Sequence, residues 1–286
     1  MQNLVDHLSY VTGKKIRSIQ SVSGGSISSA YLLKADKETF FLKVNTQSDA
    51  HEMFVAEQTG LKAIEETETI AVPKVYLVDV YDGKAFLLMD YVKNKSANAD
   101  EFKTLGKQLA QLHLNHKEAF GFNEDNFIGS LPQSNTRHSS WAEFYWHERI
   151  APQLKLAKQN KLLNTNEIVP RQVAINLFEE VLGNDVKPSV LHGDLWGGNY
   201  LISTDGTPYL IDPAVYHGDP MVDIAMSKLF GGFGNDFYTA YHEIIPMVPN
   251  YEAQIDLYQL YFLLVHLNLF GKSYYGSVAS ILKRYF

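Results

Sequence analysis

Apolar and polar residues alternate over most of the first 92 positions, which is the pattern of strands that bury one face. A helical spacing of apolar residues interrupts it at residues 50–65, and a shorter helix is predicted at residues 2–12. The turn signal Asp82-Gly83 marks a hairpin between the last two strands. The predicted strands are IRSIQSV, SAYLLKA, TFFLKVN, KVYLVDVY and KAFLLMDYV. We therefore expect a five-stranded antiparallel sheet with one inserted helix.

The pattern changes after residue 92. Residues 93–100 (KNKSANAD) are polar and poor in aromatic side chains, as expected of a linker. Strand signals return only around 189–212, as the short pair NYLIS and PYLID around Asp205-Gly206. The other segments have amphipathic helical patterns: 102–116, 139–159, 170–182, 235–245 and 251–270. This predicts an α+β, bilobal protein that binds ligands between its lobes: a β-rich lobe at 1–92, a linker at 93–100 and a helical lobe at 101–286.

Composition narrows the classes of function. The 286 residues carry 25 Lys and Arg against 32 Asp and Glu, a net charge of −7, which does not suit a nucleic-acid binder. The absence of cysteine excludes disulfides, thiolate metal sites and a cysteine nucleophile. Asp6 and His7 interrupt any signal-peptide core, and the longest apolar stretch, 257–270, is too short and too polar to span a bilayer. We expect a soluble, cytoplasmic protein without membrane or nucleic-acid partners.

The most informative motif is LHGDLWGGN at 191–199, followed by LIDP at 210–213. Phosphoryl transfer needs a carboxylate that accepts the proton of the attacking hydroxyl, and oxygen ligands that hold Mg²⁺ against the phosphates. Asp194 is the candidate base, and Asn199 and Asp212 are the candidate metal ligands. His-Gly-Asp alone is common, but its spacing to the Asn and to a strand-borne Ile-Asp-Pro indicates a kinase that uses Mg-ATP.

A glycine-rich segment between the first two strands offers a phosphate cradle. Gly24, Gly25 and Ser26 belong to SGGSISSAY, where small residues let backbone amides approach a phosphate. The segment is neither a Walker motif nor a strict GxGxxG, so a plain hairpin loop is the alternative. Lys43, in the middle of the third strand, is the candidate phosphate-binding lysine. Alternatively, it points to solvent from an edge strand.

The helix at 50–65 supplies a carboxylate that would hold Lys43 in place. Glu57 and Glu52 are both candidates, and Glu57 is preferred because it shares a helix face with the apolar residues.

The fifth strand runs into the linker through FLLMDYV. In a kinase this segment hydrogen-bonds adenine through backbone groups, so Met89, Asp90 and Tyr91 are the candidate nucleotide contacts. A plain core strand fits the same pattern.

These residues occur in the order and spacing of a known family. The chain resembles the protein-kinase-like fold in its small-molecule branch, and within it the fructosamine kinase (ketosamine-3-kinase) family, which is related to the aminoglycoside phosphotransferases. The resemblance covers essentially the whole chain. It is carried by GGSIS, FFLKVN with MFVAEQTGL, NFIGSLPQSN, WAEFYWHERI, LHGDLWGGN, IDPAVYHGDPMVDIAM and HLNLFGKSYYGS.

The resemblance implies ATP-dependent phosphorylation of the 3-hydroxyl group of ketosamines such as fructosyl-lysine. The phosphorylated product decomposes and frees the amine, so the implied role is deglycation of amines or proteins. The implied cofactors are ATP and Mg²⁺, and the implied partner is a free or protein-bound ketosamine. Carried to this chain, Asp194 is the base, Asn199 and Asp212 bind the metal, and Lys43 with residues 24–26 holds the phosphates.

The resemblance also suggests residues on the substrate side. Trp196 is a candidate wall of the sugar site, or alternatively a packing residue of its loop. His217 and Asp219 are candidates for the acceptor side, and the alternative for Asp219 is that it anchors its own loop.

Further polar residues are expected to be structural. His192 and Asp223 would hold the catalytic loop by hydrogen bonds. His266, Asn268 and Tyr275 match the C-terminal segment of the family, and a buried polar cluster between helices is preferred to a substrate role. Some members carry a cysteine at the position of Ser26, so a thiol-based switch is excluded here.

Two other functions compete with this interpretation. One is another small-molecule kinase of the same fold, acting on an aminoglycoside, choline or a similar alcohol. The other is a nucleotide-binding pseudokinase without turnover, which is disfavoured because every required group is present.

Overall fold

The computed structural model of the chain describes residues 1–22 and 28–286. Its N-terminal part contains helices α1 (Gln2–Thr12) and α2 (Ala50–Glu65), and strands β1 (Ile16–Val22), β2 (Ser29–Ala35), β3 (Thr39–Asn45), β4 (Val75–Tyr81) and β5 (Lys84–Asp90). The strands form one antiparallel sheet in the order β1-β2-β3-β5-β4. The predicted five-stranded sheet with an inserted helix is confirmed.

The alternation of side chains along β3 decides where Lys43 points. Leu42 and Val44 pack in an apolar cluster with residues of α1, on one face of the sheet. Phe41 packs in a second cluster that includes Phe54 of α2. Because successive side chains of a strand point to opposite faces, Lys43 lies on the α2 face. Strands β2 and β5 flank β3, so the alternative that Lys43 sits on an edge strand is excluded.

The predicted linker, residues 93–100, is more structured than expected. Strand β6 (Asn94–Lys95) lies within it, and helix α3 (Ala99–His113) begins before its end. Asn98 caps α3 by accepting a hydrogen bond from the Glu101 amide, and Glu101 accepts one from the Asn98 amide, both at 2.9 Å. The Asn-x-x-Glu signal was present in the sequence, but polar composition suggested a loop instead.

The C-terminal part is mainly helical, as predicted. Its helices are α4 (Trp141–Phe144), α5 (Ala151–Gln159), α6 (Arg171–Leu182), α7 (Met221–Leu229), α8 (Asn235–His242), α9 (Tyr251–Phe270) and α10 (Tyr275–Tyr285). Its short strands are β7 (Asn126–Ile128), β8 (Leu131–Gln133), β9 (Ser189–Leu191), β10 (Tyr200–Ser203), β11 (Pro208–Leu210) and β12 (Tyr216–Gly218). A π-helical turn, Tyr145–Ile150, joins α4 to α5, so the helix predicted at 139–159 is continuous. Strands β10 and β11 pair as predicted, and β6 adds to them.

Two strand pairs and two helices, α7 and α10, were missed by the sequence patterns. The pairs are the β7–β8 hairpin and the β9–β12 pair, whose strands have three residues each and are too short to show alternation. The β9–β12 pair also joins distant segments, with Val190 opposite His217. Helix α10 begins with Gly276 and Ser277 in its first turn, and both residue types are weaker helix formers than alanine.

Helix α9 forms the centre of the helical core. Leu257, Leu260 and Leu264 on this helix are each 0% exposed. A helix that is apolar on all sides needs neighbours on all sides, and α5, α7 and α10 pack against it. Within residues 1–22 and 28–286, no helix combines the length and apolar character needed to cross a membrane.

Helix α2 packs directly on the C-terminal part. A Cβ atom at Gly60 would lie 3.1 Å from the Pro213 ring and 3.2 Å from the Val215 side chain, so a larger residue would have to move the two segments a few tenths of an ångström apart. Pro213 immediately follows Asp212. The contact therefore sets the helix that carries Glu57 against the segment that carries a candidate metal ligand.

Candidate active site

One buried carboxylate holds the loop between β9 and β10. Asp223, in α7, accepts hydrogen bonds from the amides of His192 (2.7 Å) and Gly193 (2.9 Å). It also accepts one from Nε2 of His113 at 3.1 Å, and both side chains are 0% exposed. Gly193 has a φ of 84°, and a Cβ there would lie 2.1 Å from the Ala214 carbonyl oxygen. Asp223 therefore has the structural position expected of it, whereas no motif pointed to its partner His113.

His192 connects this loop to the end of β11. Its Nε2 donates a hydrogen bond to the Ile211 carbonyl at 2.9 Å, and its Nδ1 accepts one from the Asp194 amide at 3.3 Å. Burial lowers the pKa of the imidazole, so the ring stays neutral with one donor and one acceptor nitrogen. His192 thus aligns the backbone of Asp194 with the segment that leads into Asp212.

The three oxygen-bearing side chains of the motif lie together. Asn199 Nδ2 donates to the Asp194 carbonyl at 2.9 Å, to its carboxylate at 3.2 Å and to the Asp212 carbonyl at 3.4 Å. Asn199 is only 4% exposed, so these contacts fix its orientation. Asp212 has a φ of 53°, in the left-handed region that few non-glycine residues adopt. This backbone kink follows β11 and turns Asp212 toward Asp194 and Asn199.

Lys43 joins this group from the other lobe. Its Nζ donates to both carboxylate oxygens of Glu57, at 2.8 and 2.9 Å, and to a carboxylate oxygen of Asp212. Glu52, the competing candidate, is exposed on α2. The preference for Glu57 over Glu52 therefore agrees with the geometry of the ion pair.

Electrostatics separate the two aspartates. Burial raises the pKa of Asp194 to about 7, and the nearby charge of Asp212 adds to the shift. Burial also acts to raise the pKa of Asp212, but the charge of Lys43 and its hydrogen bond outweigh that effect and lower it. One carboxylate is thus poised to exchange a proton near neutral pH, while the other stays ionised.

These groups surround one cleft with a volume of about 1060 Å³. The predicted site residues that line it are Lys43, Glu57, Met89, Asp90, Tyr91, Asp194, Trp196, Asn199 and Asp212. Gly24, Gly25 and Ser26 lie outside the described residues, but Val22 and Ser28 on either side of that segment line the same cleft.

The segment at the end of β5 forms an apolar part of the cleft. Met89 is 3% exposed and packs with Phe41 and Val75. The Asp90 carboxylate accepts hydrogen bonds from the Tyr76 hydroxyl at 2.7 Å and from the Lys74 amide. Such side-chain contacts are compatible with an adenine-binding segment, because adenine would be recognised through backbone groups. The backbone of this segment, rather than its side chains, is what would recognise a flat nitrogenous ring.

The donor set around Asp194 suits a hard divalent cation that also binds phosphate. Asp212 offers a carboxylate and Asn199 offers an amide oxygen, since its Nδ2 is engaged by the loop. Among residues 1–22 and 28–286, no three His, Asp or Glu side chains cluster as a self-sufficient metal site. Two protein ligands are the usual number for Mg²⁺ that shares its coordination with substrate phosphates.

Two predicted substrate residues lie elsewhere. His217 is in β12, and its ring packs on Phe122 with centroids 5.4 Å apart. Asp219 is 6% exposed and accepts hydrogen bonds from the Tyr258 hydroxyl at 2.6 Å and from the Met221 amide at 2.8 Å. Neither is among the described residues that line the cleft. The contacts of Asp219 agree with the alternative that it anchors its own loop, at the start of α7, and the acceptor-side role of His217 and Asp219 stays a prediction.

Trp196 does line the cleft. It is 41% exposed, and its ring lies so close to Gly198 that a Cβ there would be 2.4 Å from it. The glycine makes room for the ring, which keeps an aromatic face beside Asp194.

The C-terminal segment does not form the expected buried polar cluster. His266 lines the cleft, whereas Asn268 donates hydrogen bonds to the side chain and carbonyl of Gln153, at 2.8 and 3.0 Å. Tyr275 is 36% exposed and donates to Glu167 at 2.7 Å. The three side chains point in different directions because His266 and Asn268 lie on different faces of α9 and Tyr275 lies at the start of α10.

A series of buried hydrogen bonds supports another wall of the cleft. No sequence pattern predicted it. Tyr261 donates to Gln133 at 2.5 Å, Gln133 donates to Asn126 at 2.7 Å, and Asn126 donates to the Val215 carbonyl at 2.8 Å. Asn126 and the turn at 127–130 line the cleft. The available signal was NFIGSLPQSN, which was recognised only as a family segment.

Comparison with known proteins places this geometry in context. The model of a family described as fructosamine kinase matches residues 1–286. A ketosamine-3-kinase of Mus musculus is 35% identical over 91% of this chain and 92% of its own. A chloroplastic protein-ribulosamine 3-kinase of Arabidopsis thaliana is 38% identical over 95% of this chain and 83% of its own.

Solved structures agree with the sequence relatives. A crystal structure assigned as a fructosamine-3-kinase, from Haemophilus somnus 129PT, superimposes with a TM-score of 0.88 at 29% identity, over 99% of this chain and 96% of that one. An aminoglycoside phosphotransferase crystallised with AMP-PNP and hygromycin B has a TM-score of 0.65 at 14% identity, over 99% and 98% of the two chains. That more distant likeness shows a shared fold alone.

Proposed function

Because the chain belongs to the fructosamine kinase family, we propose that it transfers the γ-phosphoryl group of ATP to the 3-hydroxyl group of a ketosamine such as fructosyl-lysine. Family membership makes the protein a phosphotransferase that acts on ketoamines. The sugar position and the fructosyl substrate are the proposed refinement. The observation that supports phosphoryl transfer is the convergence of Lys43, Glu57, Asp194, Asn199 and Asp212 on one cleft, and family membership supports the finer choice of substrate.

Asp194 is proposed as the general base. Hydrogen bonds to Asp223 and His192 fix the loop that carries Asp194, so its carboxylate is held in place beside the cleft. A pKa raised to about 7 by burial gives an oxygen basic enough to accept a hydroxyl proton and ionised in a useful fraction of molecules. Positioning of the acceptor hydroxyl and electrostatic stabilisation do most of the work in phosphoryl transfer.

Lys43 is proposed to contact the nucleotide phosphates, with residues 24–26 as the cradle above them. The Glu57 pair holds the ammonium in place; burial acts to lower the pKa of Lys43, but the charges of Asp212 and Glu57 outweigh that effect and raise it, so the ammonium stays charged. Asp212 and Asn199 would hold Mg²⁺. When bound, this ion would neutralise negative charge on the phosphates.

The remaining surfaces of the cleft are proposed to hold the two organic groups. The backbone at Met89, Asp90 and Tyr91 would hydrogen-bond adenine, and Trp196 would stack on the sugar. Phosphorylation at O3 places a leaving group next to the C2 carbonyl, so elimination of inorganic phosphate would leave an imine, and its hydrolysis by water would release the dehydrated sugar and free the amine. The proposed consequence is deglycation.

A screen of ADP release tests this function. The wild-type protein and Asp194→Asn are assayed with Mg-ATP and three acceptor groups: ketosamines, aminoglycosides and simple sugars. We expect turnover of ketosamines by the wild type, roughly 1–100 per second on a good substrate, and about 10²–10⁴-fold slower turnover by the variant. Turnover of an aminoglycoside without turnover of any ketosamine would replace the proposed substrate class. Mass spectrometry and NMR of the product then identify the phosphorylated hydroxyl.

A further inference from the structure

Four aromatic rings line one end of the cleft, and the proposed chemistry does not use them. We call them the aromatic shelf: Phe230, His266, Phe270 and Tyr274. The His266 ring lies at its centre, with centroids 4.6 Å from Phe230, 5.5 Å from Phe270 and 5.1 Å from Tyr274. Phe230 and Phe270 are 41% and 56% exposed. Large apolar side chains that remain exposed as a group mark a binding surface.

The shelf adjoins the catalytic loop. A Cβ at Gly197 would lie 3.0 Å from the Gly231 carbonyl oxygen and 3.1 Å from Gly232, so the loop that carries Trp196 touches the turn after Phe230. Trp196 lines the same cleft as the shelf. A ligand whose hydroxyl reaches Asp194 past Trp196 would therefore extend toward the shelf.

The shelf has no formal charge. The Asp, Glu, Lys and Arg side chains among the described lining residues are all on other walls: Lys43, Glu57, Asp90, Asp194 and Asp212. A cationic group on the shelf would thus meet aromatic faces rather than a carboxylate. Aromatic faces attract ammonium groups by cation–π interaction and also accept apolar substituents.

His266 adds a directed acceptor to this surface. Its Nδ1 donates a hydrogen bond to the Phe262 carbonyl at 2.8 Å, which leaves the lone pair of the neutral ring on Nε2. Burial lowers the pKa of His266, so the ring is neutral at physiological pH. No hydrogen-bond partner of Nε2 is found within residues 1–22 and 28–286.

We propose that the aromatic shelf is the subsite for the amine half of the ketosamine, with His266 Nε2 accepting a hydrogen bond from the secondary ammonium and the rings contacting the amine substituent. The inference rests on the proposed function, because it takes the reacting sugar to lie between Asp194 and Trp196. The nitrogen of a ketosamine is three bonds from the carbon that carries O3, so it lies close to the reacting group. The substituent on the nitrogen can therefore extend out of the sugar site and contact a neighbouring surface. A shelf of this kind discriminates amines by the size and apolarity of their substituent.

Matched substrates that share one sugar test the size dependence. Fructosyl-methylamine and fructosyl-benzylamine differ only in the substituent that would contact the rings. We expect Phe270→Ala and Tyr274→Ala to lower the ratio of kcat/KM for the benzyl over the methyl compound by roughly tenfold, through KM rather than kcat. Tyr275→Ala is the control, because this neighbouring ring contacts Glu167 and does not line the cleft.

A second pair of measurements tests the hydrogen bond to nitrogen. Binding of fructosyl-methylamine to Asp194→Asn and to Asp194→Asn with His266→Ala is measured by calorimetry, so that affinity is read without turnover. We expect the second substitution to weaken binding of the amine about tenfold and to leave the weak binding of D-fructose, which lacks the nitrogen, within about twofold.

The outcomes separate this inference from the proposed function. If the wild type phosphorylates no ketosamine, the proposed function fails. If it phosphorylates both compounds but the shelf variants leave their kcat/KM ratio at the value of the Tyr275→Ala control, the shelf is not the amine subsite, although the enzyme assignment stands. Equal loss of amine and fructose affinity on His266→Ala would likewise overturn the hydrogen bond to nitrogen.

Discussion

The cleft has two walls that are built in opposite ways. One wall carries Lys43, Glu57 and Asp212 in partly buried ion pairs. The other carries partly exposed rings such as Phe230 and Phe270. Buried charges need exact partners, since removal of one partner leaves the other uncompensated. Apolar surfaces tolerate substitution with graded effects. In the proposed function the charged wall would therefore set whether the reaction occurs, and the aromatic wall would set which molecule reacts.

The largest effect is expected at the proposed base. Asp194→Asn should lower kcat about 10²–10⁴-fold, because the amide cannot accept the hydroxyl proton. Binding of ATP, measured by calorimetry, should be nearly unchanged. Activity close to that of the wild type would remove Asp194 as the base.

The same variant has a stability signature with a definite sign. A carboxyl whose folded-state pKa is raised favours folding at low pH, and this contribution is lost as the pH rises through about 7. Asn removes the buried charge near Asp212, so Asp194→Asn should melt at the same or a higher temperature than the wild type at pH 8. A clear loss of Tm at pH 8 would show that the ionised form is stabilised instead.

The next effect is expected at the lysine of the charged wall. Lys43→Met should lower kcat/KM for ATP about 10²–10³-fold, the usual loss for one donor that stabilises developing charge. Lys34→Met on the neighbouring strand is the control, because Lys34 is exposed. Similar ATP kinetics for the two variants would contradict the assignment of Lys43.

The protonation of Asp194 is expected to have an effect of intermediate size on activity. The base must be ionised to act, and burial raises the pKa of Asp194 to about 7. In the free enzyme kcat/KM should therefore fall about tenfold for each pH unit below 7, with a slope of one on a logarithmic plot. A flat profile between pH 5 and 7 would exclude an Asp194 with a raised pKa as the base.

The smallest effect is expected where α2 meets the other lobe. Gly60→Ala places a Cβ against Pro213 at 3.1 Å, which should shift α2 by a few tenths of an ångström and loosen the Glu57–Lys43 pair. We expect kcat/KM to fall about two- to fivefold, since small misplacements cost measurable rate. Gly276→Ala is the matched control, because its Cβ would meet nothing within 4 Å. Equal kinetics for both alanine variants would show that the contact does not position Glu57.

The sequence by itself determined the elements and the chemistry of the charged wall. The strands β1, β2 and β3 and helices α1 and α2 span the predicted residues, because their periodicities are long enough to read locally. Helix α9 also spans its predicted residues, but the amphipathic pattern predicted for it was wrong, since it is apolar on all sides. Asp194, Asn199 and Asp212 lie close in sequence, so their spacing already implied one loop and the strand after it. Lys43 and Glu57 followed from strand and helix faces.

Only the tertiary structure decided which rings form the aromatic wall and which hydrogen bonds hold the loop that carries Asp194. Phe230 ends α7 and His266 lies in α9, and no local period links them. His113 of α3 and Asp223 of α7 form a hydrogen bond although they are 110 residues apart in sequence, and His217 turns away because β12 pairs with the distant β9. Local patterns report which face of one element is apolar, whereas contacts between distant elements depend on how all the elements pack at once.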